Sequence, residues 1–294
     1  MGFGSLWVED HLIAMPGGIE CNFAWTVMSS ALQATERVPF CTGVTAPIMR
    51  YHPAIVAQAF ATMEAMYPGR VGLGVGTGEP PNEMAVYGGE WPSNNTRLEM
   101  LEEALTVMNR LWTSDTPISF TGKYYTLRNA VLLTRPKEKV PLYVSAIGLR
   151  AANLAGRLGD HLITLANNPQ YIKDELFPAL ETAARESGRD PNTIEPVGHF
   201  SYVYDPDQVV RPEDLQQDAG TISGGAMAKA FLSGVISIFH TEEDFIRKIE
   251  EMKRMGYNHL AIANGSMAIE KGSHIPPDEA PSLKIWADVL PHVR

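Results

Sequence analysis

Seven short runs of apolar and β-branched residues, separated by longer stretches whose apolar positions recur every three or four residues, constrain this chain more than any other feature. Strands alternating with amphipathic helices build parallel sheets covered by helices, because a parallel connection needs a crossover long enough to hold a helix. The runs are SLWVEDH (5–11), FCTGV (40–44), VGLGVG (71–76), LYVSA (142–146), HLITLA (161–166), a stretch within GHFSYVY (198–204) and NHLAIAN (258–264). Helical patterns occupy 24–36, 53–67, 96–112, 150–158, 171–187 and 242–256. Thr241 followed by Asp244 predicts a capping box, and Gly256 a stop. FTGKYYTLRNAVLL (120–133) reads as an inserted hairpin, and 205–240, rich in Gly, Asp, Gln and Ser, as an irregular insertion. The expected fold class is α/β, a (β/α)8 TIM-barrel-like single domain over 1–294. Seven strands are one fewer than a closed barrel needs, and the sequence opens directly on a strand pattern, so the expected barrel lacks its first βα unit.

The net charge of −10 argues against a nucleic-acid surface, which draws on clustered Lys and Arg, and leaves small-molecule chemistry as the expectation. No apolar run approaches the ~20 residues that span a bilayer. The first residues lack a basic region followed by an apolar core, so no membrane role and a cytoplasmic location are expected. Cys21 and Cys41 lack ligand spacing and read as buried thiols. The histidines form neither HxH nor HExxH, so no metal is expected, and no GxSxG points to a hydrolase. His52, just before Pro53, and His161 read as structural. Trp7, Trp25 and Trp112 read as core, with Trp25 also placed as a candidate pocket wall. The acidic face at 96–103 and the charged face at 242–254 read as solvated.

GVGTGEPPNE (74–83) is neither GxGxxG nor a P-loop. What remains is a strand whose C-terminal end carries Gly76, Thr77, Gly78 and Glu79, where glycines free the backbone and amides can point at an anion. VEDHL ends its own strand with Asp10 and His11, and an imidazole there can exchange a proton near neutral pH. In a parallel barrel both strand ends face one rim.

These stretches, together with TGVTAPIMRYHPAIVAQAFATM (42–63), GEWP (89–92), VPLYVSAIG, AGRLGDHLIT and GYNHLAIAN, resemble the luciferase-like superfamily of flavin and deazaflavin barrels over nearly the whole chain. Within it they are most similar to the coenzyme F420-dependent branch, its alcohol dehydrogenases first and its sugar-phosphate dehydrogenases next. The resemblance implies a homodimeric oxidoreductase that passes a hydride between a small, secondary alcohol/carbonyl pair and F420. His11 and Glu79 would be catalytic. Asp10, Gly43, Val44, Thr77, Gly78, Asn82, Ala146, Ile147 and Gly148 would contact the cofactor, with a non-prolyl cis peptide at Gly43–Val44. An FMN-dependent monooxygenase and a non-catalytic cofactor-binding or partner subunit are the alternatives. The family's pocket Trp is replaced by Met15. Ser201 stands where the sugar-phosphate enzymes carry a Lys, and Lys271 alone is basic in the C-terminal stretch, which disfavours a sugar phosphate.

Overall fold

The computed structural model describes residues 3–13, 21–165, 168–208, 236–264 and 281–293. The predicted alternation is present. β1 (Leu6–Val8), β2 (Phe40–Thr42), β3 (Val71–Val75), β6 (Leu142–Ser145), β7 (His161–Leu165), β8 (Glu195–Tyr204) and β10 (His259–Asn264) form one parallel sheet in that spatial order. The antiparallel hairpin β4 (Ile118–Thr121) and β5 (Thr126–Ala130) stands apart, inside the segment expected for it.

The connecting helices are α1 (Ala24–Ala34), α2 (Pro53–Met66), α3 (Pro80–Tyr87), α4 (Asn94–Thr113) and α5 (Leu149–Leu158). After β7 a turn of helix at Pro169–Tyr171 runs through a π segment, Ile172–Leu176, into α6 (Phe177–Glu186); α7 (Glu242–Arg254) and α8 (Pro281–Val293) complete the α-helices among the described residues. Local chemistry sets their ends. His52 caps α2 by accepting the Ala54 N–H at 3.2 Å, with Pro53 in the first turn. Thr241 and Asp244 form the capping box of α7. None of the described helices is long and apolar enough to cross a membrane.

Two apolar layers hold the sheet. Outside, Met28, Leu32, Val56, Phe60, Leu101, Leu105 and Met108 pack helices onto strands. Inside, Ile163, Val197 and Ala261 meet Trp7, Val44 and Tyr143, the filled interior of a barrel. The barrel is nearly closed. Among the described residues β1 and β10 share no ladder, yet Ser5 Oγ lies 3.2 Å from His259 Nε2 and the Trp7 ring stands edge-on to His259. β1 is the half-exposed edge of this seam.

Several expectations need correction. Segment 205–240 is not wholly irregular: β9 (Ile236–Phe239) lies within it and pairs parallel with Ser201–Tyr204, while 209–235 lie outside the described residues. α3 and α8 were not anticipated. Cys21 is exposed, because it precedes α1 in a loop and misses that helix's inward face; Cys41, in β2, is buried and its thiol is pushed up to about 12 by desolvation. The acidic face of α4 is not simply solvated. Glu103 accepts the N–H groups of Lys123, Tyr124 and Tyr125 at the hairpin turn, and Glu102 holds Arg157 through two bonds of 2.6 and 2.9 Å. A turn that exposes three adjacent amides recruits the nearest carboxylate.

Candidate active site

The site is built where β1, β2 and β3 end. At the close of β2 the Gly43–Val44 peptide is cis, and pairing with β3 resumes at Thr45, whose N–H donates to Gly74 O at 2.8 Å and whose carbonyl accepts from Gly76 at 3.0 Å. Gly74 permits this close run of chain: a Cβ there would lie 2.0 Å from the Thr42 carbonyl oxygen. The next loop turns at Gly78, with φ +73°, and a Cβ on it would lie 2.7 Å from the Glu83 carboxylate. Only glycine satisfies both demands.

Asp10 follows β1 and is 2 % exposed. Its Oδ2 accepts from the Thr45 hydroxyl at 2.7 Å; its Oδ1 accepts from Tyr51 at 3.0 Å and from Arg50 Nη2 at 3.2 Å. The same Nη2 donates to the Asp10 carbonyl at 2.6 Å. Arg50, its side chain 6 % exposed, also faces Glu83 across 3.6 Å between Nε and Oε1. Glu83 accepts the Glu79 N–H. Burial lifts the Glu83 carboxyl above the usual carboxylate range, against the opposing pull of the Glu79 N–H and Arg50; the Glu79 charge adds to the rise and His11 opposes it. Burial, then the Asp10 charge, likewise raise the Tyr51 phenol. Removing one member of such a buried pair leaves an uncompensated charge, a loss of about 3–5 kcal/mol.

A second tie joins the same two arms. Asn82, on α3, accepts the N–H groups of Leu12 and Ile13 on its Oδ1 at 2.9 and 3.0 Å. The β1 tip bearing His11 is thus fastened to the β3–α3 turn bearing Glu79, and both groups act electrostatically on one buried carboxylate, Glu83. His11 is half-buried, with Nδ1 at 3.7 Å from Glu9. Thr77, Gly78 and Glu79, in the turn that follows β3, are half-buried as well.

The remaining expected residues distribute as follows. Ala146 is buried behind the tip of β6, Ile147 is 56 % exposed, and Gly148 starts α5 with no side-chain cap and no atom within 4 Å of the Cβ position. Uncapped helix amides beside open space suit an anion. Trp25 is core: it packs on Tyr51 with ring centroids 4.6 Å apart and donates to Thr45 at 3.4 Å, so it backs the Asp10 network. Met15 and Lys271 lie outside the described residues. Sequence reasoning missed Thr45, Arg50, Tyr51 and Glu83. The signal was there in part: Arg-Tyr interrupts an apolar stretch, and Glu83 follows Glu79 by one helical turn. A cleft of about 620 Å³ lies elsewhere, between α4, α5 and α6, lined by Glu102, Arg150 and Arg157. Among the described residues, no group of three or more metal-ligating side chains gathers.

A family model described as luciferase-like monooxygenase matches residues 1–267. An F420-dependent glucose-6-phosphate dehydrogenase of Microbacterium testaceum is 39 % identical over 209 residues, 70 % of this chain and 62 % of that protein. One from Intrasporangium calvum is 32 % identical, with 100 % of this chain and 91 % of that protein aligned. A solved structure titled F420-dependent secondary alcohol dehydrogenase in complex with an F420-acetone adduct is 39 % identical, covers 100 % of this chain and 91 % of its own, and superposes with a TM-score of 0.85.

Proposed function

The chain belongs to the luciferase-like monooxygenase family, and we propose that it is an F420-dependent oxidoreductase acting on a small, secondary alcohol/carbonyl pair. The observation that carries this reading is the fastening of the His11 tip to the Glu79 turn through Asn82, which brings an imidazole and a carboxylate to one rim. The alcohol dehydrogenase bound to an F420-acetone adduct, alike over the full length of this chain, supports both the cofactor and the substrate class.

The residues present fit a deazaflavin with an anionic tail. Gly78 and Thr77 would hold the ring, with the Gly43–Val44 peptide at the end of the neighbouring strand, and Ala146, Ile147 and Gly148 would offer the uncapped start of α5 to the tail. Bound F420 supplies a two-electron hydride acceptor. His11 accepts the hydroxyl proton as the carbinol hydrogen departs with its electron pair, and Glu79 holds the proton exchanged on the cofactor side. Asp10 serves from behind, its carboxylate engaged by Thr45, Arg50 and Tyr51.

The glucose-6-phosphate dehydrogenases among the relatives favour a second reading, a sugar phosphate. Ser201, half-buried in β8, offers a hydroxyl where that reading needs a cation. Purified protein mixed with oxidised F420, and separately with FMN, is offered propan-2-ol or glucose 6-phosphate while deazaflavin absorbance is followed. Bleaching with propan-2-ol supports the alcohol reading, and bleaching with glucose 6-phosphate alone replaces it with the second. Tight FMN with oxygen uptake overturns the cofactor assignment, and F420 binding without any turnover leaves a non-catalytic subunit.

A further inference from the structure

We propose that Arg50, acting through Glu83, is a positioning residue that locks the peptide unit preceding His11 to the peptide unit preceding Glu79. The inference rests on the roles proposed above for those two side chains.

The chain of contacts runs from peptide to peptide. Arg50 Nη2 donates to the carbonyl of Asp10, the oxygen of the peptide bond that leads into His11. Arg50 Nε faces Glu83 Oε1 at 3.6 Å, and Glu83 Oε2 accepts the N–H of Glu79, the hydrogen of the peptide bond that leads into Glu79. Each end of the bridge therefore fixes the backbone plane from which a proton-handling side chain departs. The bridge has little room to shift. Glu83 is wedged against Gly78, where even a Cβ would meet it at 2.7 Å, and the guanidinium lies 4.6 Å over the Tyr51 ring. Arg50 comes from a third element, the loop between β2 and α2, so it braces two neighbouring tips from outside both.

Arg50 is too buried to meet substrate, and its Nε makes no hydrogen bond. A planar fork with donors on two sides can address Asp10 and Glu83 together, whereas a lysine concentrates its charge at one point. Small misplacements of reacting groups are costly: about 1 Å can lower a rate roughly 10²-fold.

The test uses the full chain carrying Arg50→Lys, and separately Glu83→Gln, which keeps an oxygen able to accept the Glu79 N–H. Amide hydrogen exchange without cofactor is the first readout. In Arg50→Lys, residues 10–13 and 79–83 exchange at least about tenfold faster together, while β6 and β7 keep their protection. Kinetics are the second readout. Arg50→Lys lowers kcat roughly 10²-fold with the F420 dissociation constant within about threefold of the parent, and Glu83→Gln loses markedly less. Loosening of one segment alone, of neither, or an unchanged kcat overturns the proposal; should Arg50→Lys not fold, paired loosening of both segments in Glu83→Gln decides it. If the parent turns over neither alcohol nor sugar phosphate, the functional reading fails while exchange still judges the brace.

Discussion

The two rims of this barrel both gather titratable groups, and they treat charge in opposite ways. At the C-terminal rim Asp10, Arg50 and Glu83 interlock, each charge facing an opposite one or a donor within the network. At the N-terminal rim His161 and His259 flank Glu195 at 4.0 and 3.8 Å, among Trp7 and the Tyr143 ring that stacks on His161. There burial lowers both imidazole pKa values despite the nearby carboxylate, and His161 Nδ1 has no hydrogen-bond partner. Both rims desolvate titratable groups: one sets a buried guanidinium among its carboxylates, the other leaves its imidazoles neutral beside a carboxylate. Barrels place reactive groups at the C-terminal ends of strands and leave the opposite face to stability. The contrast teaches that polar clustering alone does not mark a site: the orientation of the strands decides how each cluster is read.

The widest separation between the rims is expected in turnover. His11→Ala should lower kcat at least roughly 10²-fold, about 2.7 kcal/mol of barrier, with the melting temperature little changed. Unaltered turnover in steady-state assays would remove His11 from the chemistry. Trp7→Ala strikes the barrel interior between the rims, where the indole packs against Tyr143 and His259 on one side and lies 3.2 Å from the Cβ position of Gly43 on the other. Because Trp7 is half-buried, the expected loss is about 2–3 kcal/mol by urea unfolding, at the low end for a large core aromatic, with turnover per folded molecule lowered far less than in His11→Ala, through the Gly43 backbone alone. A stability-neutral Trp7→Ala that abolished turnover would erase the division of labour.

Sequence reasoning reached the strands and most helices because their signals are local. VGLGVG and LYVSA announce strands by composition, and Thr241 with Asp244 announces a helix start by side-chain chemistry. The lapses have physical causes. α3 opens on Pro80, a good first-turn residue, yet its eight residues form barely two turns and carry too little periodicity to stand out. β9 was legible as VISIF, but its neighbours are polar and, among the described residues, it pairs with just the far half of β8. At the site, His11, Glu79 and Asn82 came from strand-end position together with the family resemblance. Arg50 and Glu83 did not, because their role exists only across β1, β2 and α3 at once. A carboxylate that holds a neighbour's N–H looks, in sequence, like any surface glutamate.

The smallest effect sharpens the comparison furthest, since acid should act on the two rims with opposite sign. His161 and His259 have folded pKa values below 6.5, so as pH falls beneath 6.5 the unfolded chain takes up protons first. Their contribution to stability is complete above that pH and is lost as pH drops toward the folded values. Burial first, then the neighbouring charges, Glu195 and Asp160 raising and His259 and Lys139 lowering, set where the loss ends for His161. Glu83 runs the other way. Its folded pKa lies above 4.5, so the folded chain takes the proton first and stability is regained as pH falls through that value toward 4.5. Urea midpoints followed from about pH 7.5 to 4.5 should show a shallower acid loss in His161→Gln/His259→Gln and a steeper one in Glu83→Gln, the slope and not the absolute stability being the readout. Identical slopes in all three proteins would mean that neither rim's burial perturbs its protons, and the opposite response of a buried carboxylate and buried imidazoles to acid would lose its physical basis.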